Sequence, residues 1–183
     1  MKVVSLFCFI ICFQSSLNAQ VNSIGIEYSP YTQFAIRDKF DRSFKTFNVY
    51  YEGVGYHIGF KTQLMFGVGN KAEIFNQRDT ISNYGGFSLG VGKVLNPGKR
   101  LQFLSYLRFF DVGVIKRNSD RYISMGAGPE MEACFFFSNS IGITANLSYV
   151  LSWVSEGGEE KNYLGKSLKA SISVFYAFKK FSK

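Results

Sequence analysis

The sequence contains one histidine, His57, and three cysteines, so few of its side chains can carry chemistry at neutral pH. Acid–base catalysis there would depend on His57, because histidine is the side chain whose ordinary titration range lies closest to neutral pH. Zinc sites usually draw on several His or Cys ligands, and this composition supplies few. We therefore predict no metal and no cofactor, and His57 is the one candidate for general acid–base chemistry.

The balance of charge also excludes some classes of partner. Lys and Arg number 21 against 13 Asp and Glu, which gives a formal net charge of +8. The basic residues are scattered and form no cluster of the kind that contacts phosphates along a nucleic acid. We predict no nucleic-acid partner. A hydrophobic content of 46% also excludes intrinsic disorder.

The N-terminus has the arrangement of a secretory signal peptide. An apolar run over residues 3–13 follows Lys2, and small and polar residues then lead to Ala19. The run is too short to cross a membrane as a helix, which takes about 20 residues. We predict that residues 1–19 are a cleaved signal peptide and that residues 20–183 form one domain.

The rest of the chain alternates apolar with small or polar residues at a period of two, which is typical of β-strands. The clearest stretch, 141–154, carries Ile, Ile, Ala, Leu, Tyr, Leu and Trp at its odd positions. The pattern predicts eight strands, at about 22–30, 46–60, 62–75, 83–95, 100–116, 122–137, 141–154 and 167–179. Short connections are expected near Lys61, at 96–99 and at 138–140, and the longest ones at 31–45 and 155–166.

Two kinds of barrel carry such alternation. A soluble barrel hides its apolar face inside, whereas a transmembrane barrel turns that face to lipid. The polar face here is rich in Gly and Ser with isolated charges, unlike a surface in water. Aromatic residues near strand ends also suggest interfacial girdles: Tyr28, Tyr84, Tyr122, Trp153, Tyr176 and Phe178. We predict an all-β fold, an eight-stranded antiparallel up-and-down transmembrane β-barrel with both termini on the periplasmic side.

The signal peptide, eight alternating strands, short turns and aromatic-rich last strand resemble the small outer-membrane barrels of the OmpA/OmpX kind. The last strand, in which Val174, Tyr176 and Phe178 alternate, looks like the C-terminal signal read by the barrel-assembly machinery, with Phe181 as an alternative terminal aromatic. The resemblance implies a location in the outer membrane of a Gram-negative envelope, among lipid and lipopolysaccharide. Eight strands enclose a lumen that side chains fill, so no open pore is expected.

Seven charged residues fall on the inward face of these strands: Glu27, Lys71, Glu73, Arg108, Glu130, Glu132 and Lys169. Because an unpaired charge is costly in a poorly hydrated lumen, we predict that they form a structural ion-pair network. A hairpin centred at residue 119 places residues opposite each other when their numbers sum to 238. Arg108 is then expected to face Glu130, and Glu132 to share its guanidinium.

Aromatic and basic side chains alternate along the connection at 31–45, which we predict to be an outward loop. Six of them either bind lipopolysaccharide sugars or a partner protein, or pack on the barrel rim: Tyr31, Phe34, Arg37, Phe40, Arg42 and Phe44. In another loop, Asp79-Thr80-Ile81 resembles the Asp-Ser/Thr-aliphatic O-glycosylation acceptor of one group of Gram-negative bacteria. Thr80 is therefore a candidate site of modification.

Three functions remain open at this point. The favoured one is a non-enzymatic outer-membrane barrel that serves envelope structure or binds a partner through its loops. The second is an enzyme that modifies outer-membrane lipid and has His57 at the centre of its active site. We expect His57 on the Gly-rich inward face of the second strand. The lipid A deacylase type carries a His-x-Ser pair, whereas this segment is His57-Ile58-Gly59. The third is an accessory subunit of an outer-membrane assembly or secretion complex.

Overall fold

The computed structural model describes residues 21–36, 40–55, 57–69, 73–74, 77–78, 83–97, 99–117, 120–156 and 162–178. The signal peptide predicted at residues 1–19 lies outside the described residues. All described elements are strands: β1 (Val21–Ile36), β2 (Phe40–Val54), β3 (Ile58–Gly69), β4 (Glu73–Ile74), β5 (Gln77–Arg78), β6 (Asn83–Leu95), β7 (Leu101–Arg117), β8 (Asp120–Phe136), β9 (Ile141–Glu156) and β10 (Asn162–Ala177). None of the described residues forms a helix long and apolar enough to cross a membrane.

Eight of these strands close into an antiparallel barrel in the order β1-β10-β9-β8-β7-β6-β3-β2. The short strands β4 and β5 form a separate hairpin. The closure of β1 on β10 leaves no free edge in the barrel sheet, so the main-chain groups of every barrel strand have partners on both sides. The predicted eight-stranded antiparallel barrel is confirmed.

The two faces of the barrel differ as the alternation predicts. Along β9, the apolar side chains from Ile141 to Trp153 are exposed on the outside, and the intervening residues are buried inside. The same holds along β10, where Ile172 and Val174 are 65% and 59% exposed and Ser171 and Ser173 are buried. The outside of the barrel is therefore apolar and its interior is polar in the middle, the opposite of a soluble barrel.

The predicted strand at 46–60 and the connection near Lys61 are wrong. β2 ends at Val54, and a tight turn, closed by the Gly55 N–H donating to the Ile58 carbonyl at 2.8 Å, leads into β3. Apolar residues alternate with glycine on both sides of this turn, so the periodicity conceals it. Val54 and Lys61, on either side of this turn, are both buried inside the barrel.

The predicted bounds of the connection at 31–45 are also wrong. β1 continues to Ile36 and β2 begins at Phe40, so these residues extend a hairpin. Pro30 lacks an N–H and cannot donate to the hydrogen-bond ladder. A β-bulge beside it shifts the alternation, so that Ser29 and Thr32 both point inward.

The third strand is shorter than the predicted 62–75. β3 ends at Gly69, and the chain then forms the hairpin in which Glu73 pairs with Arg78 along the backbone. Glu73 therefore lies outside the barrel sheet.

A β-bulge in β7 shifts the pairing with β8. Arg108 pairs with Gly128, and Asp111 pairs with Gly126, so two residues are passed on β7 while one is passed on β8. Glu130 is paired with Tyr106. Between Leu101 and Arg108, the numbers of paired residues sum to 236 instead of the predicted 238. The bulge also turns Asp111 inward, to the same side as Arg108.

The first and last described residues and three short turns share one end of the barrel, which we call the terminal end. The Phe178 N–H donates to the Asn22 carbonyl at 2.9 Å, and the turns at 55–57, 96–100 and 137–140 lie beside them. The end at which β1 meets β2 through residues 37–39 is called the distal end.

Candidate functional site

The interior of the barrel is filled in three layers. An apolar cluster lies near the terminal end, a second one lies near the distal end, and charged and amide side chains occupy the space between them. This arrangement places the polar groups where neither end of the barrel exposes them to bulk water.

The terminal cluster is built on aromatic rings that lie over inward-facing glycines. It contains Val21, Tyr50, Val54, Val94, Leu104, Tyr106, Cys134, Phe175 and Ala177. A Cβ atom added at Gly25 would overlap the ring of Tyr50, and one at Gly59 would overlap Tyr106. The glycines that the sequence places on this face therefore make room for rings from neighbouring strands.

The distal cluster contains Phe44, Ile115, Tyr122 and Val154, with Tyr84 and Tyr163 packed against it. The rings of Phe44 and Tyr84 lie 5.9 Å apart. Two of the aromatics that we predicted to lie in interfacial girdles, Tyr84 and Tyr122, thus point into the lumen. Trp153, by contrast, is 70% exposed on the outside.

Lys61 is the centre of the charged layer. Its Nζ lies 2.7 Å from Glu130 Oε1 and 3.8 Å from Glu27 Oε2, and it also contacts Glu132. The ammonium lies 4.7 Å from the centre of the Tyr50 ring, which adds a cation–π contact. Asn146 Nδ2 donates to the same two carboxylates, at 2.8 Å to Glu130 and 2.9 Å to Glu132.

Lys169 extends the network to the closure of the barrel. Its Nζ donates to Glu27 Oε1 at 2.6 Å and to Gln63 Oε1 at 3.3 Å. Asn48 Nδ2 also donates to Glu27, at 2.5 Å. Because Glu27 and Lys169 lie on β1 and β10, this ion pair joins the first and last strands of the barrel.

Arg108 has two acidic partners. One guanidinium nitrogen contacts Asp111, three residues along the same strand, and Nη1 lies 3.4 Å from Glu130 Oε2 and 3.2 Å from Ser148 Oγ. Glu132 was expected to share this guanidinium, but the shift in register places it beside Lys61 instead. The structure therefore brings Arg108 and Glu130 together diagonally, not as directly paired residues.

Glu52 completes the charged layer near the terminal cluster. Tyr106 Oη donates to its Oε1 at 2.5 Å, and Glu52 is paired along the backbone with Lys61. Among the described residues, no Lys or Arg nitrogen lies within ion-pair distance of Glu52. It is 7% exposed.

Five of the seven charges predicted for the lumen lie in this network: Glu27, Arg108, Glu130, Glu132 and Lys169. Lys71 lies outside the described residues, and Glu73 belongs to the β4–β5 hairpin. The sequence reasoning missed Glu52, Lys61 and Asp111. The tight turn at 55–57 conceals the inward positions of Glu52 and Lys61 from the periodicity, and the β-bulge conceals that of Asp111.

The described residues line a small cavity inside the barrel. A cavity of about 20 Å³, room for about one water molecule, lies beside Arg108, Asp111 and Lys169. In the part of the chain that the structure describes, no group of three or more His, Cys, Asp or Glu side chains could hold a metal ion.

His57 is not on the inward face of a strand. It lies exposed in the turn between β2 and β3, where its carbonyl accepts a hydrogen bond from the Val94 N–H at 2.9 Å. The turn ends the alternation from which the inward position was predicted.

Most of the residues predicted to form a binding loop lie in strands instead, and Phe34 is paired with Arg42 along the backbone. Phe44 is buried in the distal cluster. Tyr31, Phe34, Phe40 and Arg42 belong to β1 and β2.

Two other candidate positions from the sequence, Arg37 and Thr80, lie outside the described residues.

A row of exposed residues crosses five neighbouring strands near the distal end, and we call it the distal row. Lys45 pairs with Val68, Val68 with Asn83, Asn83 with Lys116, and Lys116 with Arg121. All five side chains are exposed on the outside of the barrel. Lys116 and Arg121 are directly opposite each other, a like-charge pairing that disfavours the strand contact unless an anion lies between them.

Solved structures with the same architecture are outer-membrane proteins. The chain is similar to Neisserial surface protein A (NspA), with a TM-score of 0.63 and 8% identity over 87% of this chain and 98% of that chain. It is similar to Ail from Yersinia pestis in complex with the heparin analogue sucrose octasulfate, with a TM-score of 0.58 and 15% identity over 86% and 98%. It is also similar to OprG from Pseudomonas aeruginosa, with a TM-score of 0.52 and 8% identity over 88% and 97%.

No family model matches the sequence, and no curated protein matches it. The structural likeness nevertheless covers almost the whole of each solved barrel. The chain has the fold of the small eight-stranded outer-membrane β-barrels, as the sequence resemblance predicts.

Proposed function

We propose that the protein is a non-enzymatic integral outer-membrane barrel that acts as a closed membrane anchor and binds phosphorylated glycolipid at its distal end. The filled lumen carries the first part of this proposal. Two apolar clusters and a charged layer occupy the interior, so the described part of the barrel has no path for solutes of the size that a porin admits. The apolar outer face supports residence in lipid.

The orientation follows from the two ends. Short turns and both ends of the described barrel lie at the terminal end, and outer-membrane barrels have short turns on the periplasmic side. The terminal end then faces the periplasm, and the longer hairpins face outward. Val174, Tyr176 and Phe178 line the outside of the last strand there, which supports their recognition by the barrel-assembly machinery during insertion.

The distal row carries the binding part of the proposal. Lys45, Lys116 and Arg121 lie outside the barrel at the level where the outer leaflet presents its headgroups in this orientation. The phosphate groups of lipopolysaccharide supply the anion that the Lys116–Arg121 pair requires. Ail, which shares the fold, has been solved with a polyanionic sugar, and this supports the class of ligand.

The test compares two double variants in bilayers with and without lipopolysaccharide. Lipopolysaccharide should raise the unfolding temperature of the wild type, and K116Q/R121Q should lose most of that rise. The matched control, K93Q/K99Q, removes two exposed lysines from the terminal end and should keep the rise. An equal response of all three proteins would contradict binding at the distal row.

A further inference from the structure

The small cavity inside the barrel lies where the charged layer meets the distal cluster. Phe44 and Tyr84 of the distal cluster line it together with Arg108, Asp111 and Lys169 of the charged layer. Its volume of about 20 Å³ suits about one water molecule. A buried water is held by two to four polar partners, so the hydrogen-bonding groups around the cavity decide whether it is a site.

The guanidinium of Arg108 supplies one donor. Both of its Nη atoms have partners, among them Ser148 Oγ and the carboxylates of Asp111 and Glu130. Arg108 Nε, in contrast, donates to none of the described residues, although the side chain is only 4% exposed. A buried N–H without an acceptor is costly. Because Arg108 lines the cavity, a ligand there can accept this hydrogen bond.

A chain of hydroxyl groups supplies an acceptor at the same cavity. Ser29 Oγ donates to the Ala170 carbonyl at 2.6 Å, and Thr32 Oγ1 donates to Ser29 Oγ at 3.0 Å. Thr32 Oγ1 also lies 3.2 Å from Thr46 Oγ1. A hydroxyl has a single hydrogen, and Thr32 gives its own to Ser29, so Thr46 is the donor in this last contact. The oxygen of Thr46, which lines the cavity, can still accept.

Charge favours a neutral ligand. An additional anion is disfavoured because five buried carboxyl groups already share the lumen with three buried cations, namely Glu27, Glu52, Asp111, Glu130 and Glu132 with Lys61, Arg108 and Lys169. A cation is disfavoured because the guanidinium of Arg108 and the ammonium of Lys169 both line the cavity. Water is neutral, fits the volume, and can both accept from Arg108 Nε and donate to Thr46 Oγ1.

We propose that the cavity is a hydration site, in which one ordered water accepts a hydrogen bond from Arg108 Nε and donates one to Thr46 Oγ1. Its second hydrogen is available to the Asp111 carboxylate, which also lines the cavity. The water joins Arg108 on β7 to the hydroxyl chain that crosses β2 and β1 and ends on the main chain of β10. The charged layer is thereby connected to the closure of the barrel at a second place, besides the Glu27–Lys169 ion pair.

High-resolution crystallography of the barrel tests the site. The wild type should show density for one water within hydrogen-bond distance of both Arg108 Nε and Thr46 Oγ1, and a map without it would overturn the proposal. Thr46→Val keeps the side-chain shape but removes the acceptor, and it should lose the water. The matched control is Thr144→Val, which alters a buried threonine bonded to Cys134 in the terminal cluster and should keep the water.

Bromide distinguishes water from an anion. Crystals soaked in bromide should show no anomalous peak in the cavity, because the ligand is neutral. A bromide peak beside Arg108 Nε would overturn the proposal.

Nuclear magnetic resonance of the folded barrel in lipid nanodiscs gives a second readout. The Arg108 Nε–H signal should exchange slowly with solvent and show a cross peak to a long-lived water. Thr46→Ser retains the hydroxyl and should preserve this cross peak, whereas Thr46→Val should lose most of it. A wild-type signal without the cross peak, or a cross peak of equal size in Thr46→Val, would contradict the proposal.

Discussion

Arg108 and Asp111 lie three residues apart on one strand, yet both side chains point into the lumen and form an ion pair. Strict alternation would place Asp111 on the lipid side. The β-bulge between them inserts one extra residue, so Phe109 and Phe110 both lie toward the outside. The bulge therefore places a carboxylate beside Arg108 that the strand pattern alone would put in lipid, where a charge is costly.

This pair predicts the outcome of a double-mutant cycle. Arg108→Met leaves Asp111 as an unpaired buried charge and should destabilise the barrel by about 3–5 kcal/mol. Adding Asp111→Asn removes that charge and should restore part of the loss. The measurement is the urea midpoint of the heat-modifiable folded band on gels, with the exposed Lys99→Gln as the control. A double variant no more stable than Arg108→Met would show that Asp111 is not the partner.

Lys61 should be the most costly single charge to remove. Lys61→Met leaves Glu130 with Arg108 alone and Glu132 with no described cation, so we expect a loss at or above about 3–5 kcal/mol. The same substitution at Lys93, an exposed residue of β6, should change the free energy of unfolding by no more than about 0.5 kcal/mol. Equal effects at the two positions would contradict the central place of Lys61.

Packing of rings over glycines predicts a contrast between two glycine positions. Gly25→Ala places a methyl group in the ring of Tyr50 and should cost about 1–3 kcal/mol through overpacking. Gly85→Ala is the control, because a Cβ there meets no atom within 4 Å. Thermal conversion of the folded band measures both. A tolerated Gly25→Ala together with a destabilising Gly85→Ala would contradict the packing of the Tyr50 ring over Gly25.

The strand periodicity predicted the closed barrel, and its phase was right where strands are regular. Gln102, Leu104, Tyr106 and Arg108 point inward as predicted from alternation alone. Period-two alternation is informative because the two faces of a membrane barrel meet different surroundings.

The irregular positions could not be read in the same way. The alternation of glycine with apolar residues runs through the turn at 55–57 without a break, which hid both Glu52 and Lys61. The bulge that turns Asp111 inward lies in a Phe-Phe pair, and either phase suits two apolar residues on a lipid face. The charged network therefore contains five charged residues that the sequence predicted and three, Glu52, Lys61 and Asp111, that only the folded register reveals.

The central claim is that side chains fill the described part of the lumen and close the barrel to solutes, and single-channel recording in planar bilayers tests it most directly. The purified wild-type barrel should give no stable conductance steps of porin size, because two apolar clusters and the charged layer occupy its interior. Reproducible porin-sized steps from the folded, heat-modifiable protein would contradict the account.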